Sequence, residues 1–116
     1  MINPLHVPFS LLLFLGMMLG ETSLPAQNSV PMKVMSFNIR YANPNDAKEG
    51  NGWETRREMI HALLGYHEPD LIGMQEALAH QVEYLDEVLE DFEWLGVGRD
   101  DGKDKGEYAP IFYRKD

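Results

Sequence analysis

The sequence has no cysteine among its 116 residues. That single absence excludes disulfide frameworks, thiolate zinc sites, iron–sulfur clusters and cysteine nucleophiles. Positive charge is also scarce: ten Lys plus Arg stand against nineteen Asp plus Glu, for a formal net charge of −9. An acidic chain gains no long-range attraction for a polyanion, so long nucleic acid is not favoured as a partner. A local phosphate site stays open, because a bound divalent cation reverses the field around it. With 44% apolar and 25% charged residues, the composition is globular rather than disordered, and the length is too short for two domains.

The longest uncharged run, Val7 to Leu19 (VPFSLLLFLGMML), falls short of the ~20 residues that a transmembrane helix needs. Its length suits the apolar core of a secretory signal, and Leu24-Pro25-Ala26 places a small residue before a cut at Gln27. Residues 1–26 are therefore expected to be a signal peptide and residues 27–31 a short linker. The protein is expected to be exported, periplasmic or extracellular, with no stable membrane span after cleavage. Met1 to His6 carries no Lys or Arg, so an uncleaved anchor is the alternative. With no Cys after the run, a lipoprotein anchor is excluded.

Met32 to Tyr41 alternates as a strand, with Met35, Phe37, Ile39 and Tyr41 on one face and Val34, Ser36, Asn38 and Arg40 on the other. Residues 43–52 read as a turn-rich loop. A helix follows from Trp53 to about Tyr66, with Trp53, Ile60, Leu63 and Leu64 as its apolar stripe. Glu68-Pro69 should end it, because a residue before proline is pushed out of the helical region. Residues 70–74 (DLIGM) form a short buried strand with Gln75-Glu76 at its carboxyl end. A second helix spans about Leu78 to Glu90, and a strand covers Phe92 to Val97. A polar loop (GRDDGKDKG) then leads into a final strand from about Tyr108 to Arg114. The order β-α-β-α-β-β, with two strand–helix–strand crossovers and a terminal antiparallel hairpin, points to an α/β fold with a partly parallel core. The sheet lacks a closing element at Arg114, so residues 32–116 are expected to be the front portion of a longer domain.

Ligands collect outside the carboxyl ends of strands in open α/β sheets. Asn38 and Glu76 lie 38 positions apart at two such ends and would bring an amide and a carboxylate to one rim. Hard oxygen ligands of this kind suit magnesium. On spacing alone, an Asn at a loop entry and a Glu opening a helix account for them as well. Arg40, Arg56 and Arg99 are cations able to fork onto phosphate oxygens. For Arg56 a helix-surface ion pair is the competing reading. Asp100-Asp101-Gly102-Lys103-Asp104 fails the EF-hand calcium pattern, because Gly102, Lys105 and Ile111 occupy ligand positions. It reads as a solvated hairpin connection. His61, His67 and His80 read as helix-surface or helix-end residues.

Ser36-Phe37-Asn38-Ile39-Arg40-Tyr41 and Pro69-Asp70-Leu71-Ile72-Gly73-Met74-Gln75-Glu76 closely resemble the first two signatures of the endonuclease/exonuclease/phosphatase superfamily. The resemblance continues through Trp53-Glu54-Thr55-Arg56-Arg57, Gly96-Val97-Gly98-Arg99-Asp100-Asp101-Gly102 and Gly106-Glu107-Tyr108-Ala109-Pro110-Ile111-Phe112-Tyr113-Arg114. It looks most like the exported bacterial branch. It implies a four-layer α/β/β/α sandwich and hydrolysis of a phosphoester, a diester or monoester of unknown class, by an activated water with Mg2+, or Mn2+ in its place. It further implies that Glu76 binds the metal, that Asn38 sits beside it and that Tyr108 touches the substrate phosphate. The expected phosphate contacts of Arg40, which shares a strand face with Asn38, and of Arg99 rest on guanidinium chemistry instead. The family's catalytic His residues, its Asp-Asn pair and its terminal Asp-His pair have no counterpart in these 116 residues. A non-catalytic domain of the same shape, binding a phosphorylated ligand or a protein, is the alternative. Residues 27–116 on their own are expected to leave an aryl phosphodiester intact in magnesium; turnover by that purified segment would refute the expectation.

Overall fold

The computed structural model describes residues 29–115; the expected signal peptide lies outside them. Among the described residues no helix is long and apolar enough to cross a membrane. The elements run β1 (Val34–Asn38), α1 (Pro44–Lys48), α2 (Trp53–His67), β2 (Leu71–Gln75), α3 (Ala79–Val88), β3 (Phe92–Leu95) and β4 (Ile111–Arg114).

The four strands form one mixed sheet in the order β1-β2-β4-β3. β1 lies parallel to β2, with Val34 opposite Leu71 and Asn38 opposite Gln75. β4 is antiparallel to both neighbours: Ile72 faces Phe112 on one side, and Trp94 faces Phe112 on the other. The last strand is thus inserted between β2 and β3, which separates the two strands joined by the second crossover.

One face of the sheet is covered. Ile60 and Leu64 of α2 and Val82 and Leu85 of α3, with Leu89 just beyond, pack on Ile72, Met74, Phe92 and Phe112. Phe112, Ile72 and Leu85 have no exposed surface. On the opposite face Val34, Leu95 and Ile111 are exposed. The described residues therefore supply one helical layer and one sheet of the expected sandwich.

Several boundaries differ from the expected ones, for local reasons. Residues 44–48 form a helical turn instead of an uninterrupted loop, because Asn43 accepts from the Asn45 N–H as an N-cap and Pro44 occupies the first turn. β1 stops at Asn38, since Arg40 adopts a left-handed backbone (φ 57°) that breaks the alternation. β4 begins at Ile111 because Pro110 offers no N–H to the ladder; Tyr108 makes only isolated bridges to Ala77 and Gly98. The stop of α2 is the expected one: Glu68 turns left-handed (φ 48°) before Pro69. Leu63, placed on its apolar stripe by spacing, is 41% exposed.

The hairpin connection between β3 and β4 is tied by one carboxylate. Asp101 Oδ1 accepts from the N–H groups of Lys103, Asp104 and Lys105 at 2.9, 3.1 and 3.1 Å. Gly98 is where the Lys105 backbone passes too close for any Cβ.

Phe112→Ala in the full-length protein should cost about 3–5 kcal/mol, because it empties the centre of the sheet's covered face. Urea denaturation checks this, and a loss below about 1 kcal/mol would mean the core is not built as described. The backbone donors of Lys105, Lys103 and Asp104 hold the Asp101 carboxyl below the ordinary carboxylate range. A pKa lowered on folding stabilises the loop above the ordinary value of about 3.9 and ceases to do so as pH falls through the lowered value. Acidification in that range should speed hydrogen exchange at Lys103, Asp104 and Lys105 while the amides of Ile72 and Phe112 stay protected. Simultaneous loss at all five would show global unfolding instead.

Candidate active site

Parallel pairing of β1 and β2 carries both chains to the same edge. The last ladder contact, Ile39 N–H to Gln75 O at 3.2 Å, aligns the two exits. Beyond it, Asn38 Nδ2 donates to Glu76 Oε1 at 2.9 Å. The Asn38 carboxamide is oriented from its other end, because Oδ1 accepts the Arg40 N–H at 2.8 Å. A backbone donor at that point leaves only the NH2 group to face the carboxylate. Glu76 is itself left-handed (φ 61°). Two non-glycine residues with positive φ, Arg40 and Glu76, therefore flank one hydrogen bond, and such backbone strain concentrates at functional sites.

Asn38, Gln75, Glu76, Gly96, Val97, Arg99, Glu107 and Tyr108 border one open hollow of about 610 Å3, within the size range of small-molecule sites. Four of the five expected site residues, Asn38, Glu76, Arg99 and Tyr108, thus share a border. Arg40 does not line it. Its guanidinium forms a two-pronged pair with Asp46 of α1, with Nη2 at 2.8 Å from Oδ1. Hydrogen bonding to Arg40 lowers the Asp46 pKa, and Asp46 in turn raises that of Arg40. Arg99 lies 2.8 Å from Glu107 and 3.5 Å from Asp100. It remains largely exposed and keeps further N–H donors.

The hydroxyl of Tyr108 donates to the Lys103 carbonyl at 3.1 Å instead of standing free in the hollow. Burial, followed by Asp104 and Asp101, raises its pKa, so it remains a protonated donor at neutral pH. The Tyr108 backbone is pinned through N–H to Ala77 O at 2.6 Å, which fixes the residue beside the rim.

Among the described residues Arg56 forms no helix-surface ion pair. It donates to the carbonyls of Ile39 (2.7 Å), Asn51 (2.9 Å) and Arg40 (3.3 Å), so it stitches the β1 exit to the start of α2. His61, His67 and His80 are exposed. Among the described residues no three acidic or imidazole side chains gather into a cation site.

Spacing and charge did not single out Asp46, Glu107 or Gln81. Asp46 and Glu107 look like ordinary surface acids until the fold sets them on Arg40 and Arg99. Gln81 carries a faint signal, since a Gln at the third position of a helix commonly reaches back to the cap.

No protein-family model and no curated protein matches the chain. Solved structures do. A mannosyl-6-phosphatase of Bacteroides thetaiotaomicron is 45% identical over 73% of this chain and 32% of its own, with a TM-score of 0.71. An endonuclease/exonuclease/phosphatase family protein from Bacteroides vulgatus is 45% identical over 75% of this chain and 33% of its own, again at 0.71. Another from B. thetaiotaomicron is 46% identical over 73% and 31%, at the same TM-score. The chain thus spans about a third of the length of these relatives, in their N-terminal portion. On that likeness, with a matching mixed sheet and helices, the chain belongs to the endonuclease/exonuclease/phosphatase family.

Proposed function

We propose that this chain provides the carboxylate rim of an exported, magnesium-dependent phosphoesterase, and that its substrate is a sugar phosphate monoester. The observation that carries the reading is the Asn38–Glu76 contact at the carboxyl edge of two parallel strands, 2.9 Å between Nδ2 and Oε1. The substrate class rests on the 45% identity to a mannosyl-6-phosphatase. The acidity of the chain, −9 overall, fits a small substrate better than long nucleic acid.

The donor set fits magnesium. Glu76 is a single carboxylate, and Mg2+ typically takes one or two carboxylates and leaves its other positions to water and substrate phosphate. Mn2+ suits the same oxygen ligands. When bound, the cation would polarise a phosphoryl oxygen and stabilise charge on the leaving oxygen.

The chain's own residues then divide the work. Asn38 donates to one Glu76 oxygen and so holds the carboxylate in one orientation, while among the described residues no protein group donates to the other. Arg99, on the border of the same hollow, can turn its remaining donors to a phosphate oxygen. Tyr108 can offer its hydroxyl only by giving up the Lys103 carbonyl. Arg40 is restrained by Asp46, so a phosphate would have to compete with a carboxylate for its guanidinium. The general base and the group that protonates the leaving oxygen have no counterpart here, and the complete reaction is assigned to the full-length protein.

Glu76→Ala in that protein should lower magnesium-dependent release of phosphate from a hexose 6-phosphate by at least ~10²-fold, with thermal stability nearly unchanged. Undiminished turnover would reject Glu76 as a ligand. Saturable binding of the sugar phosphate without turnover in the unmutated protein would favour a non-catalytic binding domain.

A further inference from the structure

Gln81, on the first turn of α3, is the one fully buried polar side chain among the described residues. All three of its side-chain hydrogen bonds are to backbone. Oε1 accepts from Ala42 N–H at 2.9 Å and Leu78 N–H at 3.1 Å, and Nε2 donates to Arg40 O at 3.1 Å. Leu78 is two residues beyond Glu76; Arg40 and Ala42 are two and four residues beyond Asn38. One carboxamide therefore bridges the two chain exits that carry the candidate site.

A helix cap would account for the Leu78 contact alone. It does not account for the two contacts across to the segment after β1, 41 and 39 residues away in sequence. Those contacts hold the peptide that follows Arg40, a left-handed residue (φ 57°) whose N–H donates to Asn38 Oδ1. That hydrogen bond decides that the Asn38 NH2 group faces Glu76.

We propose that Gln81 is a positioning residue: its carboxamide locks the left-handed turn at Arg40 against the start of α3 and thereby sets the orientation of Asn38 toward the Glu76 carboxylate. Gln is the residue type the position requires. Two N–H groups converge on one of its atoms and a carbonyl meets the other, so the position needs an acceptor and a donor on one planar group. Glu would keep the acceptor and set an oxygen against the Arg40 carbonyl. Met would keep the volume and lose every hydrogen bond.

The effect on the cation rests on the phosphoesterase reading above; the effect on Asn38 does not, so the two can fail separately. In the full-length protein, hydrogen exchange at Arg40, Ala42 and Leu78 and the side-chain amide resonances of Asn38 report the positioning without any metal. Gln81→Met should expose all three amides to faster exchange and shift the Asn38 side-chain signals, while the Phe112 amide stays protected. Gln81→Glu should preserve protection at Ala42 and Leu78 and lose it at Arg40, and it serves if the Met variant does not fold. Unchanged Arg40 exchange and Asn38 signals in a folded variant would overturn the proposal. Titration with Mn2+, followed by its electron paramagnetic resonance, gives the second arm. Gln81→Met should weaken Mn2+ binding roughly 10- to 100-fold, as loss of a ligand's supporting shell does, and Glu76→Ala should abolish it. Should Glu76→Ala bind Mn2+ like the unmutated protein, the metal reading fails, and the exchange data alone then decide the role of Gln81.

Discussion

The parallel register between β1 and β2 is the constraint on which the candidate site depends. Side chains alternate along a strand, so a slip of one residue would turn Asn38 to the opposite face and withdraw it from Glu76. The register is held from within the core. Ile72 and Met74 must face α2 and α3 while Gly73 and Gln75 face the other way, and β4 repeats the demand through Phe112. Burial of apolar surface on one side of the sheet therefore decides which polar atoms meet at its edge. The Asn38–Glu76 hydrogen bond adds little energy of its own at an exposed rim; its geometry is a product of the packing beneath it.

Past the β1–β2 ladder, side chains pair with the Ile39 and Arg40 carbonyls and with the Arg40 and Ala42 N–H groups. Arg56 covers the carbonyls of Ile39 and Arg40, Gln81 reaches Arg40 and Ala42, and Asn38 takes the Arg40 N–H. A left-handed non-glycine residue costs on the order of 1–3 kcal/mol, and it persists here because three side chains meet at one peptide segment. The same economy governs charge. Arg40 and Arg99 are each matched to a carboxylate, so neither offers the hollow an uncompensated positive charge. On the proposed reading, a divalent cation would supply the local positive field that a phosphate needs in a chain this acidic.

Much of this was legible from residues alone. The period-2 pattern over Val34–Asn38, the stripe of Trp53, Ile60 and Leu64 on α2, the stop at Glu68-Pro69 and the terminal hairpin correspond to the structure, because each is set by local burial or backbone chemistry. The resemblance carried by the segments around Asn38 and Glu76 pointed to the family that the solved relatives establish. Strand order was not legible: nothing in the sequence of β4 says that it enters between β2 and β3, since both neighbours accept an antiparallel partner. The turn at residues 44–48 was read as loop because Asn-Pro signals a turn and a helix start alike. Arg40 was read by strand alternation as sharing a face with Asn38, and the left-handed turn sends its guanidinium to Asp46 instead.

Gln81 shows why polar positions resist sequence reading. Its neighbour in the pattern, Val82, is buried for reasons that hydropathy captures, whereas Gln81 scores as surface. Its burial follows from where two unpaired N–H groups and one carbonyl end up in three dimensions, and no local window contains all of them. An apolar residue there would leave the Ala42 and Leu78 N–H groups without partners, at a cost of about 1–3 kcal/mol each, and the Arg40 carbonyl with Arg56 alone. The side chain is therefore set by the backbone around it. That backbone is left-handed because the chain must turn away from the sheet within two residues of Asn38. Buried amides of this kind mark the places where a fold has subordinated local preference to the placement of a site.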